Sequence, residues 1–263
     1  MYSLKYCKPE TISEAVSELK NTQDASFLAG GHTLIPTLKQ RLANPSLLID
    51  LSHCGLSGIS KAHNSITIGA MTCHADVAKD KTVAKLNPGL TTLAGGIGDR
   101  QVRNCGTIGG SLANNDPAAC YPAAVQALGG TIHTDKRDIA ADEFFAGMFE
   151  TALDEDELIT AVKLPNPQKS AYVKFPNPAS RYAMVGVFVA KFADGVRVAV
   201  TGAGEDGVFR ANDIELVLSD NFDATSLDGI TISQEGLMED IHASPAYRAH
   251  LIVEMARRAV TAC

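Results

Sequence analysis

Two glycine-bearing segments stand out as places where the backbone itself could do chemistry. The first is Ala29-Gly30-Gly31-His32-Thr33-Leu34, between a short apolar strand and a helix. Glycine permits positive φ and lets N–H groups come close to an anion. The following helix start adds partial positive charge, so the segment is built like a pyrophosphate cradle. A tight turn that binds nothing fits this segment alone equally well. The second is Thr107-Ile108-Gly109-Gly110-Ser111, with Asn114-Asn115-Asp116 close behind. It offers further N–H groups, two hydroxyls and side-chain acceptors. A dinucleotide carries two phosphates and a polyol chain, so the pair of segments favours dinucleotide binding over a structural glycine crossing.

The elements that must position these segments follow from periodicity. Thr11-Ile12-Ser13-Glu14 is a capping-box pattern that opens an amphipathic helix over Thr11–Lys20. Ser26–Ala29 and Leu47–Leu51 are predicted strands, with a short helix over Leu34–Arg41 between them. Ser65–Gly69 is a β-branched alternating strand. The order is β-α-β-α-β. Gly89–Asn115 holds six glycines beyond its first residues and is expected to be a long ordered loop after a helix start near Leu90. Tyr121–Leu128 returns to helix and Asp156–Leu164 contains a strand. Pro165-Asn166-Pro167-Gln168 is the expected boundary. Beyond it, Met184–Phe192 and Val196–Thr201 flank an Asp194-Gly195 turn, a hairpin signal. Ser244-Pro245 caps a helix over Ala246–Val260, so the C-terminal part is an antiparallel sheet with helices.

Composition bounds the functional classes. The chain has 263 residues, enough for one large or two modest domains, with 45% hydrophobic and 20% charged residues. The net charge of −7, with no Lys/Arg run, argues against a nucleic-acid surface. No apolar run is long enough to span a bilayer, and Met1–Pro9 lacks the apolar core of a signal peptide. A cytoplasmic location follows as an expectation, with partners free to tether the chain to a membrane. None of the six cysteines forms the close pair typical of zinc and iron–sulfur sites, so no metal is expected. Gly202-Ala203-Gly204-Glu205-Asp206-Gly207 matches G-x-G-x-x-G after a strand, but no helical stripe follows it, so it is expected to be a loop at a strand end. Arg100 and Arg103 stand beside the second glycine segment and are candidates for docking a partner, with internal pairing as the alternative.

The two segments carry a resemblance. Ala29–Pro36 resembles the first flavin motif of the medium subunits of carbon monoxide dehydrogenases, within the xanthine dehydrogenase-like molybdenum hydroxylases. Gly98–Asn104 and Thr107–Ala119 are similar to that family's second motif and its approach, and Ala179–Tyr182 and Thr201–Gly204 to pieces of its C-terminal domain. The resemblance implies an α+β fold: an FAD-binding domain of the vanillyl-alcohol oxidase (PCMH) type over 1–165, in two subdomains of about 1–55 and 56–165, then a small α+β C-terminal domain over 168–263. It implies FAD as cofactor, a hetero-oligomer with an iron–sulfur small subunit and a molybdopterin large subunit, and an electron-transfer role with no catalytic acid or base on this chain. Aldehyde or N-heterocycle oxidation by the complex, and a flavin-free scaffold, are the alternatives. Position by position, it implies cofactor contacts at Ala29, Gly30, Gly31, His32, Thr33, Ile97, Thr107, Gly109, Gly110, Ser111, Ile159 and Lys174. Many relatives carry Asp where Cys120 stands, and Asp116 is the carboxylate this sequence offers in its place.

Overall fold

The computed structural model describes residues 1–263. The chain opens with β1 (Lys5–Cys7), α1 (Ile12–Asn21), β2 (Ala25–Leu28), α2 (Leu34–Lys39) and β3 (Leu47–Asp50). The three strands form a parallel sheet in the order β1-β3-β2. Thr11 caps α1 by accepting from the Glu14 N–H, and Glu14 reaches back to the Glu10 N–H. The expected capping box is therefore present with its return bond shifted by one residue.

A second sheet follows, antiparallel, in the order β4-β5-β10-β6-β7. Its strands are β4 (Ile59–Lys61), β5 (Ser65–Gly69), β6 (Thr131–Thr134), β7 (Asp138–Ala140) and, after a small β8 (Phe145–Gly147) and β9 (Glu150–Thr151) hairpin, β10 (Ile159–Pro165). The predicted strand at Ser65–Gly69 thus belongs to a different sheet from the first two, which ends the α/β reading at β3.

The helices α3 (His74–Lys79), α4 (Lys81–Leu86), α5 (Pro88–Gly95), α6 (Arg100–Cys105), α7 (Ile108–Asn114) and α8 (Tyr121–Ala127) connect β5 to β6, and α9 (Ala141–Phe144) follows β7. The expected long loop over Gly89–Asn115 is in fact three short helices. Side-chain caps offset the glycines' entropic cost: Asn87 accepts from the Leu90 N–H, Asp99 from the Val102 N–H and Thr107 from the Gly110 N–H.

The last sheet is antiparallel, β11 (Lys169–Pro176), β12 (Ala183–Lys191), β13 (Val196–Gly204) and β14 (Gly207–Arg210), followed by α10 (Asn212–Asp220) and α11 (Pro245–Ala262). β12 is buried along nearly its whole length because both faces are covered. Phe188 and Ala190 join the core of the middle helices and sheet, while Val185, Val187 and Val189 join the core under α10 and α11. The G-x-G-x-x-G match lies in the β13–β14 hairpin, where Gly204 pairs with Gly207. The sequence reading missed β14 and α10 because each is short and its apolar stripe is broken.

Arg248, 2% exposed, ties this last unit together. Its guanidinium donates to the Met184 and Gly202 carbonyls at 2.6 and 2.7 Å and to Asp240 at 2.7 Å. Removing it strands buried acceptors of two adjacent strands. Arg248→Ala is expected to lower the unfolding free energy by about 3 kcal/mol, read as a shifted urea midpoint.

Candidate functional site

A cleft of about 610 Å³ runs between the β2–α2 turn, the α6–α7 region and β11. All thirteen cofactor-contact residues expected from the sequence line it, although they come from six separate stretches of chain. Residues not expected as cofactor contacts line it too, among them Met71, His74, Arg181 and Tyr182.

The β2–α2 turn has an unusual hydrogen-bond pattern. Gly31 takes φ +69°, and the first α2-directed bond is the Ile35 N–H to the Gly31 carbonyl at 2.9 Å. The N–H groups of Gly30, Gly31, His32, Thr33 and Leu34 donate to no acceptor in the protein. Such a run of free donors at the cleft wall suits a phosphate-bearing ligand. Gly30 has a separate reason to be glycine. A Cβ there would lie 2.3 Å from the Cys105 carbonyl oxygen, so it is the close approach to α6 that excludes a side chain.

The second glycine segment works differently from the expectation that its backbone N–H groups face a ligand. The Ile108 N–H bonds to Thr72 and the Gly109 N–H to Ala70, while that of Gly110 bonds to the Thr107 hydroxyl. A Cβ on Gly109 would lie 2.6 Å from that of Ala70, so this glycine lets α7 sit on the end of β5. Gly110 instead faces the first segment, where a Cβ would stand 3.5 Å from that of Ala29.

At the other end of the cleft, three cations clamp the turn that carries Ile97. Lys174 Nζ donates to the Gly96 carbonyl at 2.8 Å, and Arg103 to those of Ile97 and Gly98 at 2.8 and 3.1 Å. Arg181 reaches the Gly98 carbonyl at 3.4 Å. Arg103 is therefore spent internally, against the docking role expected of it, while Arg100 remains exposed. Asp116 accepts from the Ala118 N–H at 2.8 Å, which fixes the chain between α7 and α8. Glu157 sets the approach to Ile159. Its enclosed carboxylate takes both arms of Arg137, the Thr134 hydroxyl and the Asp154 N–H. The Arg137 bond, foremost, holds its pKa down to about 2.

His74, 5% exposed, forms part of the cleft wall at the start of α3. Its ring lies 5.2 Å from that of Tyr121, and its Nδ1 has no partner. Burial, then the nearby His32 and Arg103, lowers its pKa to about 4. The imidazole is therefore neutral near pH 7. No local motif marks His74; its neutral character follows from burial.

Residues 2–167 match the family described as the FAD binding domain in molybdopterin dehydrogenase. The nicotine 6-hydroxylase medium subunit of Paenarthrobacter nicotinovorans is 33% identical, over 98% of this chain and 96% of its own. The carbon monoxide dehydrogenase medium chain of Afipia carboxidovorans gives the same identity and coverage. Among solved structures, quinoline 2-oxidoreductase from Pseudomonas putida 86 superposes with a TM-score of 0.89 at 28% identity, covering 99% of this chain and 96% of that one. The Cu,Mo-CO dehydrogenase superposes with a TM-score of 0.88 at 32% identity, covering 99% and 97%.

The His74 environment makes a pH prediction. Between its ordinary 6.5 and about 4, the unfolded chain binds a proton that the folded chain does not. Stability contributed by the neutral ring is complete above that window and is lost as pH falls through it, by ~3 kcal/mol at most. Urea unfolding followed across the window is expected to show this slope, and His74→Asn to flatten it.

Proposed function

Because the chain belongs to the family of FAD-binding domains in molybdopterin dehydrogenases, we propose that it is the FAD-carrying medium subunit of a molybdenum hydroxylase complex of the carbon monoxide dehydrogenase type. The observation that carries the site assignment is the run of five free N–H groups over Gly30–Leu34 in the wall of a dinucleotide-sized cleft. That run fits the FAD pyrophosphate. FAD supplies the exchange of electron pairs and single electrons; the protein supplies binding, orientation and electrostatics.

Each remaining contact then has a physical task. Thr107, Gly110 and Ser111 shape the wall opposite the pyrophosphate turn, with Gly109 holding α7 in place. Ala29, His32, Thr33 and Asp116 add polar and backbone contacts along the cofactor. Ile97 and Ile159 give apolar contact to the flavin ring, and the clamp on Gly96–Gly98 holds Ile97 still. Lys174 would set positive charge beside the ring, which would favour its reduced, more negative forms, while Arg103 holds the turn that carries Ile97. His74 stays uncharged under the wall and adds no further positive charge. We assign no catalytic acid or base to this chain.

The domain division at 1–165 and 168–263, with the first part split near residue 55, rests on the change of sheet after β3 and after β10. We further assign as partners an iron–sulfur small subunit, which delivers electrons to the flavin, and a molybdopterin large subunit, which oxidises the substrate. Multi-subunit naming of the relatives supports this. Six free thiols support a reducing, cytoplasmic compartment. No helix is long and apolar enough to cross a membrane.

N-heterocycle hydroxylation is the second reading, favoured by the equal identity to the nicotine enzyme and by the quinoline enzyme's superposition. Metal analysis of the co-purified complex separates the two. Copper together with molybdenum is expected for carbon monoxide oxidation, and molybdenum without copper would shift the assignment to the heterocycle reading. The cofactor site has its own test in Gly110→Val. A Cβ at Gly110 would stand 3.0 Å from the Thr107 hydroxyl and 3.5 Å from the Ala29 Cβ, so the valine enters the gap between the two glycine segments and the variant is expected to fold while losing most of its FAD. A well-folded Gly110→Val protein with native flavin content would overturn the site.

A further inference from the structure

Lys174 has a third contact that the flavin role leaves unexplained. Two of its ammonium N–H groups go to the Gly96 and Arg181 carbonyls, each at 2.8 Å. An ammonium has three donors, and the third lies on Cys120 Sγ at 3.6 Å. Cys120 is 5% exposed, yet its side chain lines the cleft. A second donor belongs to the same packed cluster as Cys120. The Tyr172 hydroxyl, on a residue also 5% exposed, has no hydrogen-bond partner. A buried hydroxyl without an acceptor is costly, and a thiol sulfur is a weak acceptor. One oxygen atom added to the sulfur would satisfy both donors.

We propose that Cys120 is an oxidation site, converted by hydrogen peroxide to a sulfenic acid whose oxygen is held by Lys174 and Tyr172. The deprotonated sulfur attacks one peroxide oxygen, forming the S–O bond as the O–O bond breaks. Sulfur gives up two electrons, and the departing hydroxide takes a proton to leave as water: RSH + H2O2 → RSOH + H2O. Thiol reductants reverse the change. The step needs only peroxide, so it stands independently of the flavin assignment. Position distinguishes Cys120 from the other thiols. Cys105 is exposed but has no donor on its sulfur, and no side chain donates to the sulfur of Cys7, Cys54, Cys73 or Cys263, whereas Lys174 donates to that of Cys120.

The test uses the protein as purified, with flavin content measured alongside. It is treated with hydrogen peroxide, freed of peroxide with catalase, unfolded in the presence of dimedone and mapped by peptide mass spectrometry. A dimedone adduct on Cys120 is expected, and none if dithiothreitol precedes the dimedone. Lys174→Met is expected to lower the adduct about tenfold, and Lys174→Arg to retain most of it, since the ammonium's hydrogen bond to the developing charge is what is lost. Should Lys174→Met fail to fold, Tyr172→Phe, which removes only the hydroxyl, is expected to lower the adduct about threefold. Absence of the Cys120 adduct while Cys105 is labelled would overturn the proposal. Undiminished Cys120 labelling in folded Lys174→Met, or in Tyr172→Phe where that variant replaces it, would do the same.

Discussion

The run of consecutive N–H groups free of protein acceptors, on which the proposed pyrophosphate site rests, is the constraint that most of the architecture around the cleft accommodates. Unbonded N–H groups are costly wherever water is excluded, so the turn has to stay at a wall open to a polar ligand. Gly31 at φ +69° turns the chain so that Gly30–Leu34 donate to nothing, and the α2 ladder starts only at Ile35. The turn cannot collapse onto its own helix because Gly30 is pressed against the Cys105 carbonyl at the end of α6. α6 in turn is held by its Asp99 cap and by Arg103, whose guanidinium binds the carbonyls just before it.

Stiffness at the opposite end comes from a different device. The turn over Gly96–Gly98 offers three consecutive carbonyls, each taken by a cation from elsewhere in the chain. Two of these cations, Lys174 and Arg181, belong to β11 and the loop after it. The last sheet therefore closes one side of the cleft through charge-assisted hydrogen bonds rather than apolar packing alone. Arg181 itself takes φ +62°, a conformation that non-glycine residues adopt only when surrounding bonds hold it. Here the Arg181 N–H bonds to Asn177 and its carbonyl accepts from Lys174.

The two glycine segments show how similar sequence signals divide into different physical jobs. In the first, Gly31 turns the chain so that a run of donors is free, while Gly30 serves the close approach to α6. In the second, the donors are consumed by Ala70, Thr72 and Thr107, and Gly109 serves the packing of α7 on β5. Counting glycines near a helix start cannot separate these cases. The difference lies in whether a strand end, here Ala70, approaches from a residue distant in sequence.

Local chemistry sufficed for much of this protein. The capped helix at Thr11, the strands of the β2–β3 pair, the Asp194-Gly195 hairpin, the Ser244-Pro245 helix start and both glycine segments were legible because each depends on residues within a few positions of one another. What tertiary structure decided was everything that depends on long-range neighbours. Glycines in Gly89–Asn115 argued for loop, yet capping by Asn87, Asp99 and Thr107 and packing of α5 on β11 made helices of that stretch. Arg103 looked available to a partner until the carbonyls of Ile97 and Gly98 were found within its reach. Nothing local in the sequence showed the surroundings of His74 and Cys120; their character comes from burial, and from a lysine 54 residues away in sequence in the case of Cys120. Periodicity and turn chemistry are local properties, whereas desolvation and the pairing of charges exist only once the chain has closed on itself.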